Sequence, residues 1–315
     1  MTNEFRTTFP IDKKLNISYN DNILLIGSCF SENIGNILTQ LQFNTLVNPY
    51  GILYNPYSIE TMIKEISEEK QYKHNDLVFF NDKWLSFNHH GIFSDFEAAR
   101  SLMKINSSIL EAHDFICNAD YIFLTLGTSI VYFNIDNDYP VGNCHKFPSN
   151  QFYQRRLSLD ETVESLNRII NYIRNLKEDL QIILTISPIR HWKNGAVENQ
   201  RSKSTLIIAV DEVCSSNEDV FYFPAYEIIM DDLRDYRFYS EDMLHLNNVA
   251  IDYIWKKFKE NYINESSYEL IKEIEKLNKA LQHRVEKSEG IEYIKYQEYI
   301  EQQRNKVAKM RNEFI

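Results

Sequence analysis

Ile23-Leu24-Leu25-Ile26-Gly27-Ser28-Cys29-Phe30-Ser31, continuing as Glu32-Asn33-Ile34-Gly35, is the stretch from which the fold is read. Four apolar residues run into a glycine. Two nucleophile-capable side chains follow, then apolar residues at helical spacing: Phe30, Ile34, Ile37, Leu38 and Leu41. Such a run is a strand buried on both faces of a parallel sheet, and the change of period marks a sharp turn into a helix. A Ser or Cys at that turn lies at the carboxyl edge of the sheet, where open α/β sheets bind ligands. It also sits in the first helical turn, whose free N–H groups and dipole favour negative charge. A plain turn packed with small residues would look the same, so the rest of the chain has to decide.

Working outward, Phe43 to Val47 alternates as a second strand and ends in Asn48-Pro49-Tyr50-Gly51, a stiff loop bracketed by Pro49 and Pro56. Residues 57–69 read as a helix, 77–87 as a hairpin and 97–118 as a long helix. Asn88-His89-His90-Gly91 falls between the last two; on a strand its adjacent histidines point to opposite faces, one to the site and one to solvent. Tyr121 to Leu126 is a third buried strand ending in Gly127-Thr128-Ser129. After another hairpin comes Asn143-Cys144-His145-Lys146. A helix over 157–176, a strand over 182–186 ending in Ser187-Pro188, a helix over 202–214 and a strand over 220–223 complete the alternation. The polar loop Arg190-His191-Trp192-Lys193-Asn194-Gly195 is a natural specificity element. Five apolar strands alternating with helices predict a three-layer α/β/α sandwich on a mainly parallel five-stranded sheet.

The last chemical feature is Asp242-Met243-Leu244-His245, just before a helix over about 247–260. Asp and His at this spacing can face one way, the carboxylate fixing the imidazole tautomer while the other ring nitrogen meets a nucleophile. Residues 1–262 thus form the α/β domain. Residues 263–315 are a helical tail with one apolar stripe (Leu270, Ile274, Leu277, Leu281), which either packs on its own domain or pairs with a second subunit.

Composition narrows the classes. Of 315 residues, 43% are apolar and 25% charged, with a formal net charge of −11; this is the balance of a soluble globular chain and argues against nucleic acid and anionic membrane as partners. Cys29, Cys117, Cys144 and Cys214 are widely spaced, with neither a disulfide framework nor a zinc ribbon. Residues 1–15 lack an apolar leader, and no stretch is long and apolar enough to span a membrane, so the expected location is the cytoplasm. A metal set of His89, Cys144, His145 and His245 is the weakest reading; no metal and no cofactor are expected.

Gly27-Ser28-Cys29-Phe30-Ser31 resembles the signature of the GSCFA family, with Ser31 where that family usually has Ala. Asn48-Pro49-Tyr50-Gly51-Ile52, Leu126-Gly127-Thr128-Ser129, Asn143-Cys144-His145-Lys146, Ser187-Pro188-Ile189-Arg190-His191, Glu198-Asn199-Gln200-x-Ser202-Lys203 and Glu241-Asp242-Met243-Leu244-His245 resemble its other motifs. That family is grouped with the SGNH hydrolases: esterases, lipases and carbohydrate O-acyl hydrolases or transferases. The resemblance implies a flavodoxin-like fold and a nucleophile in the first block. It also implies oxyanion donors from a Gly after strand two and a Gly-x-Asn after strand three, and a C-terminal Asp-x-x-His. Laid ungapped on the usual Gly-Asp-Ser, the nucleophile is Cys29, with Ser28 the close alternative; Ser129 replaces the third-block Asn.

The expectation is therefore an acyl-ester hydrolase or O-acyltransferase working through a covalent acyl-enzyme on a small-molecule or carbohydrate ester. Cys29 or Ser28 attacks, His245 is general base and then acid, and Asp242 orients it. The 28–30 N–H groups, Gly51, Gly127 and Ser129 hold the oxyanion, and His145, Lys146, Arg190 and His191 contact substrate. The helix N-terminus and the imidazole are expected to lower the Cys29 pKa. The alternative is a non-catalytic sugar- or acyl-binding or assembly protein on the same scaffold.

Overall fold

The computed structural model describes residues 7–12, 15–282 and 291–314. Its strands are β1 (Asn22–Gly27), β2 (Asn44–Val47), β3 (Val78–Phe80), β4 (Lys83–Leu85), β5 (Tyr121–Leu126), β6 (Ile130–Asn134), β7 (Pro140–Val141), β8 (Phe152–Arg156), β9 (Gln181–Ile186) and β10 (Val220–Phe223). Its helices are α1 (Cys29–Gln40), α2 (Pro56–Ser67), α3 (Ala98–Cys117), α4 (Leu159–Leu176), α5 (Gly195–Ser215), α6 (Ala225–Glu227), α7 (Asn248–Tyr262), α8 (Tyr268–Gln282) and α9 (Ile291–Asn312). The central sheet has the order β10-β9-β5-β1-β2 with every pair parallel, as the flavodoxin-like reading requires.

Alternation along the strands builds two cores. Leu24 and Ile26 of β1, Ile122, Leu124 and Leu126 of β5, and Ile182, Leu184 and Ile186 of β9 face the layer of α2, α3, α4 and α5. Ile23, Leu25, Phe123 and Ile183 face α1, α7 and α8. Burying the four aliphatic side chains of β1 contributes roughly 6–12 kcal/mol. Net stability of a whole domain is only about 5–15 kcal/mol, so a one-residue slip of β1 is not tolerated.

The turn after β1 is fixed by Gly27. Its φ is +137°, and a Cβ there would lie 2.2 Å from the Thr125 carbonyl oxygen of β5, so only glycine fits. The Gly27 N–H donates to Asn48 Oδ1 at 2.8 Å, tying the end of β1 to the end of β2. Ser31, the departure from the family signature, is buried and satisfied: its hydroxyl donates to the Ile26 carbonyl at 2.9 Å and lies 2.5 Å from Thr125 Oγ1.

Two readings of the chain are refined. The His89-His90 pair is not on a strand but in the turn after β4. His89 is fully buried, its ring stacked on Tyr50 with centroids 4.0 Å apart, rather than solvated. A small antiparallel sheet β7-β6-β8 stands outside the main sheet, and β8, which the sequence reading passed over, adds its third strand.

The C-terminal helices dock on the chain itself. Leu270, Ile271, Ile274 and Leu277 of α8, with Ile300 and Val307 of α9, share a core with Leu38 and Leu41. Asn278 Nδ2 donates to the Gln40 carbonyl at 2.8 Å, and the buried Glu273 binds Lys276 and Lys306 at 2.6 and 2.8 Å.

Candidate active site

Two helix N-termini lie toward one edge of the sheet. α1 begins one residue after β1, so its N-terminus is at the carboxyl edge. The far end of α7 is tied to the opposite edge, where the Ile17 N–H donates to the Tyr262 carbonyl at 2.8 Å ahead of β1. α7 packs on α1, so its N-terminus, with the preceding Asp242–His245 turn, returns to the carboxyl edge.

At the head of α1, Ser28 and Cys29 have different tasks. Ser28 is the N-cap: it is buried and its Oγ accepts from the Phe30 N–H at 3.2 Å. Its own N–H donates to the Thr125 carbonyl. Cys29 follows as the first helical residue, half-buried, its sulfur approached by its own N–H and that of Phe30. Burial nevertheless pushes its thiol up from the ordinary value, outweighing those N–H groups and the Lys203 charge, with Glu32 adding to the rise. This corrects the expected low pKa: desolvation exceeds the helix terminus, and no hydrogen bond joins Cys29 to His245 among the described residues.

His245 and Asp242 do form a pair. Asp242 Oδ2 lies 2.5 Å from His245 Nδ1, and Oδ1 accepts from the Leu244 and His245 N–H groups at 2.9 Å each. The His245 bonds and the Leu244 N–H hold the Asp242 carboxyl down at about 2, so it stays ionised. Both side chains are about half exposed, which leaves Nε2 open to a substrate.

The expected oxyanion donors are corrected on three counts. The Gly51 N–H donates to the Asn48 carbonyl at 2.7 Å and the Gly127 N–H to the Tyr54 carbonyl at 2.7 Å. Gly51 serves instead a left-handed φ of +79° against His90, where a Cβ would lie 2.2 Å from that side chain. Ser129 is fully buried, with its N–H 2.7 Å from Ser202 Oγ and its hydroxyl donating to the Ser202 carbonyl. Two side-chain amides bonded to the Gly27 and His191 backbone are short of a partner. Asn48 and Asn199 accept from Gly27 and His191 through Oδ1, yet each Nδ2 is buried without a partner among the described residues.

Two cavities flank the 190–195 loop. One, of about 510 Å³, is walled by Trp192, Ile229, Met230, Tyr239 and Leu244, with Arg190 and Asp242 at its polar side. The other, of about 410 Å³, is lined by Tyr54, His90, Tyr132, Asn143, His191 and Lys193, with Cys144 among them. Tyr54 stands in electrostatic range of both Cys29 and Cys144. His191 is pushed down by burial and by Lys203 and Lys193, so it is neutral at pH 7. His145 and Lys146 line neither cavity: His145 Nε2 donates to the Ser86 carbonyl at 2.8 Å, and Lys146 is exposed. Among the described residues no group of three or more His, Cys, Asp or Glu could hold a metal ion, and no helix is long and apolar enough to cross a membrane.

The residue that the sequence reading did not assign is Lys203. It is fully buried on α5, and Nζ donates to the Ser187 carbonyl at 2.6 Å.

Against known families, the GSCFA family matches residues 22–258. The chain belongs to the GSCFA family. No curated protein matches its sequence. Solved structures similar to this GSCFA chain include a Clostridium thermocellum family 3 carbohydrate esterase, at 11% identity over 80% of this chain and 97% of that one, TM-score 0.36. A family 3 carbohydrate esterase from Talaromyces cellulolyticus has 9% identity over 80% and 98%, TM-score 0.38. An acetyl esterase mutant with acetate ion has 10% identity over 81% and 99%, TM-score 0.40.

Proposed function

We propose that this GSCFA protein is an acyl-ester hydrolase or O-acyltransferase that forms a thioester on Cys29. The observation that carries the reading is the preformed Asp242–His245 pair at the sheet edge where Cys29 heads α1. Ser28, its hydroxyl engaged in the cap, is left out of the chemistry. The thiolate attacks the ester carbonyl, and the Cys29 N–H with the Asn48 and Asn199 amides are the donors available to the oxyanion; one such donor is worth roughly 10²–10³ in rate. His245 takes the Cys29 thiol proton and gives it to the departing alkoxide, then takes one from the water or alcohol that attacks the thioester and returns it to the sulfur, with Asp242 holding the imidazolium.

The cavities suit an ester with unlike halves. The apolar one beside Asp242 takes the acyl part, and the one with Tyr54, Tyr132, Asn143 and His90 offers aromatic faces and polar groups to a hydroxylated alcohol such as a carbohydrate. A second reading, a binding or assembly protein on the same scaffold, has one observation in its favour: the engaged Gly51 and Gly127 N–H groups.

One experiment separates them. Incubation with p-nitrophenyl acetate and peptide mass spectrometry should show one acetyl group on Cys29, cleared by hydroxylamine and formed more slowly in His245→Ala. A folded protein that acquires no acyl group at Cys29 refutes the thioester enzyme and favours the binding reading.

A further inference from the structure

Arg190 is the cation of the larger cavity that the mechanism above leaves without a task. β9 ends at Ile186, and Arg190 follows in the loop beyond its carboxyl end. Its backbone is pinned on both sides: the Ile189 N–H donates to Ser187 Oγ at 3.3 Å and the His191 N–H to Asn199 Oδ1 at 2.8 Å. The side chain is partly buried in the cavity wall, where Nη2 reaches the Met230 sulfur at 3.6 Å. A thioether is a weak acceptor and a guanidinium is a planar fork of N–H donors, so most of its hydrogen-bonding capacity stays open.

The other charged groups on this wall are engaged. Arg234 Nη2 pairs with Asp231 at 2.8 Å, and Asp235 accepts from the Arg237 N–H at 2.8 Å and from its Nη2 at 3.0 Å. Asp242 holds His245 and two backbone N–H groups. No carboxylate pairs with Arg190 among the described residues; the Met230 sulfur is its hydrogen-bond partner there. Around it the wall is apolar or aromatic: Trp192, Ile229, Met230, Tyr239 and Leu244. A charge among such side chains is less screened than in open water and draws an anion more strongly. At about 510 Å³ the cavity has room for far more than an acetyl group. A chain of methylenes against those walls, ending in a carboxylate on the guanidinium fork, uses both features.

We propose that Arg190 makes this cavity an anion site and that the substrate is the half-ester of a dicarboxylic acid. The ester carbonyl lies toward the Asp242–His245 pair, and the carboxylate at the free end of the acyl chain meets the guanidinium. The inference rests on the proposed function above, with the acyl half of the ester in this cavity. Asp242 is already committed to His245, so the acidic end of the chain belongs at Arg190 and away from the reacting bond. Arg190 selects the substrate and takes no part in bond making. A neutral acyl chain in the same place strips water from the guanidinium and returns nothing, whereas a carboxylate returns a bidentate, charge-assisted pair.

The test compares p-nitrophenyl hydrogen glutarate with p-nitrophenyl pentanoate, two acyl chains of equal carbon count, each corrected for spontaneous release of p-nitrophenolate. In the natural chain kcat/KM for the half-ester exceeds that for the pentanoate by at least ~10-fold, and the ratio shrinks as salt is added. Arg190→Met brings the ratio to about one, and Arg190→Lys, which keeps the charge and loses the fork, retains part of it. A merely structural arginine would slow both esters together and leave the ratio alone. An equal or reversed preference in the natural chain overturns the inference while leaving acyl-Cys29 standing, and this arm needs no variant to fold. If neither ester acylates Cys29, the enzyme reading falls by itself, and calorimetry with monomethyl glutarate against methyl pentanoate decides the anion site. Binding of the first, weakened at least ~10-fold in Arg190→Met, upholds it. No binding of monomethyl glutarate, or equal binding of the two, overturns it.

Discussion

Replacing Lys203 by Met should stabilise the folded protein at neutral pH and not at alkaline pH. The amine titrates at 10.5 ordinarily and at about 7 in the fold. At ~1.36 kcal/mol per pH unit that difference amounts to about 5 kcal/mol. Between these values the unfolded chain binds a proton that the folded chain does not, so the stability of the natural protein rises with pH across the window. The penalty is fully present below about pH 7 and has nearly vanished by about pH 10. Met does not titrate and fills similar volume, but it abandons the Ser187 carbonyl, a loss of roughly 1–3 kcal/mol. Lys203→Met should therefore exceed the natural chain by about 2–4 kcal/mol at pH 7 and be level with or below it near pH 10. Urea unfolding at both pH values reads this directly: with m of roughly 1–3 kcal/mol per M, the midpoints differ by about 1 M or more at pH 7. Carrying Cys29→Ala in both chains removes the coupled thiol, and every other titrating group cancels in the comparison. A stability difference that stays constant between the two pH values would refute the reasoning.

Further outcomes follow from the same geometry. Gly27→Ala should cost several kcal/mol or abolish folding, because its Cβ would fall 2.2 Å from the Thr125 carbonyl oxygen; circular dichroism and denaturation decide it. Ser28→Ala should lose about 1 kcal/mol of stability through the cap while acetylation still lands on Cys29. Ser129→Ala should destabilise the fold by roughly 1–3 kcal/mol at the Ser202 contact and leave the acylation rate unchanged, which an oxyanion donor would not do. Asp242→Asn should keep the fold, its side chain being half exposed, and slow deacylation by about 10²–10⁴-fold in stopped-flow.

The parallel sheet was legible because Ile23 to Ile26, Ile122 to Leu126 and Ile182 to Ile186 are buried on both faces, and such strands read as largely apolar runs, broken only by the buried Thr125 and Thr185. The Asp242–His245 pair was legible because its contact is local, three residues apart. The donors were not: whether the Gly51, Gly127 and Ser129 groups point out or in depends on carbonyls and hydroxyls brought from Asn48, Tyr54 and Ser202. Lys203 falls in the motif Glu198-Asn199-Gln200-x-Ser202-Lys203 with no role attached, because its burial depends on the Ser187 carbonyl brought from the end of β9. A signal was nonetheless present. The buried stripe Leu206, Ala209, Val210 and Val213 of α5, stepped back by helical spacing, lands on Ser202, Lys203 and Asn199, all of them buried. A polar residue on the inward line of a helix is the pattern to look for.

The docking of α8 and α9 has a practical consequence for anyone trimming the gene. The family match ends at residue 258, which invites an expression boundary near there. A cut at that point would strip away Leu270, Ile274, Leu277 and Val307 and lay bare the apolar flank that they share with Leu38 and Leu41. The shortened protein would keep the carboxyl edge of its sheet and still be a poor reagent, sticking to itself through the back of α1.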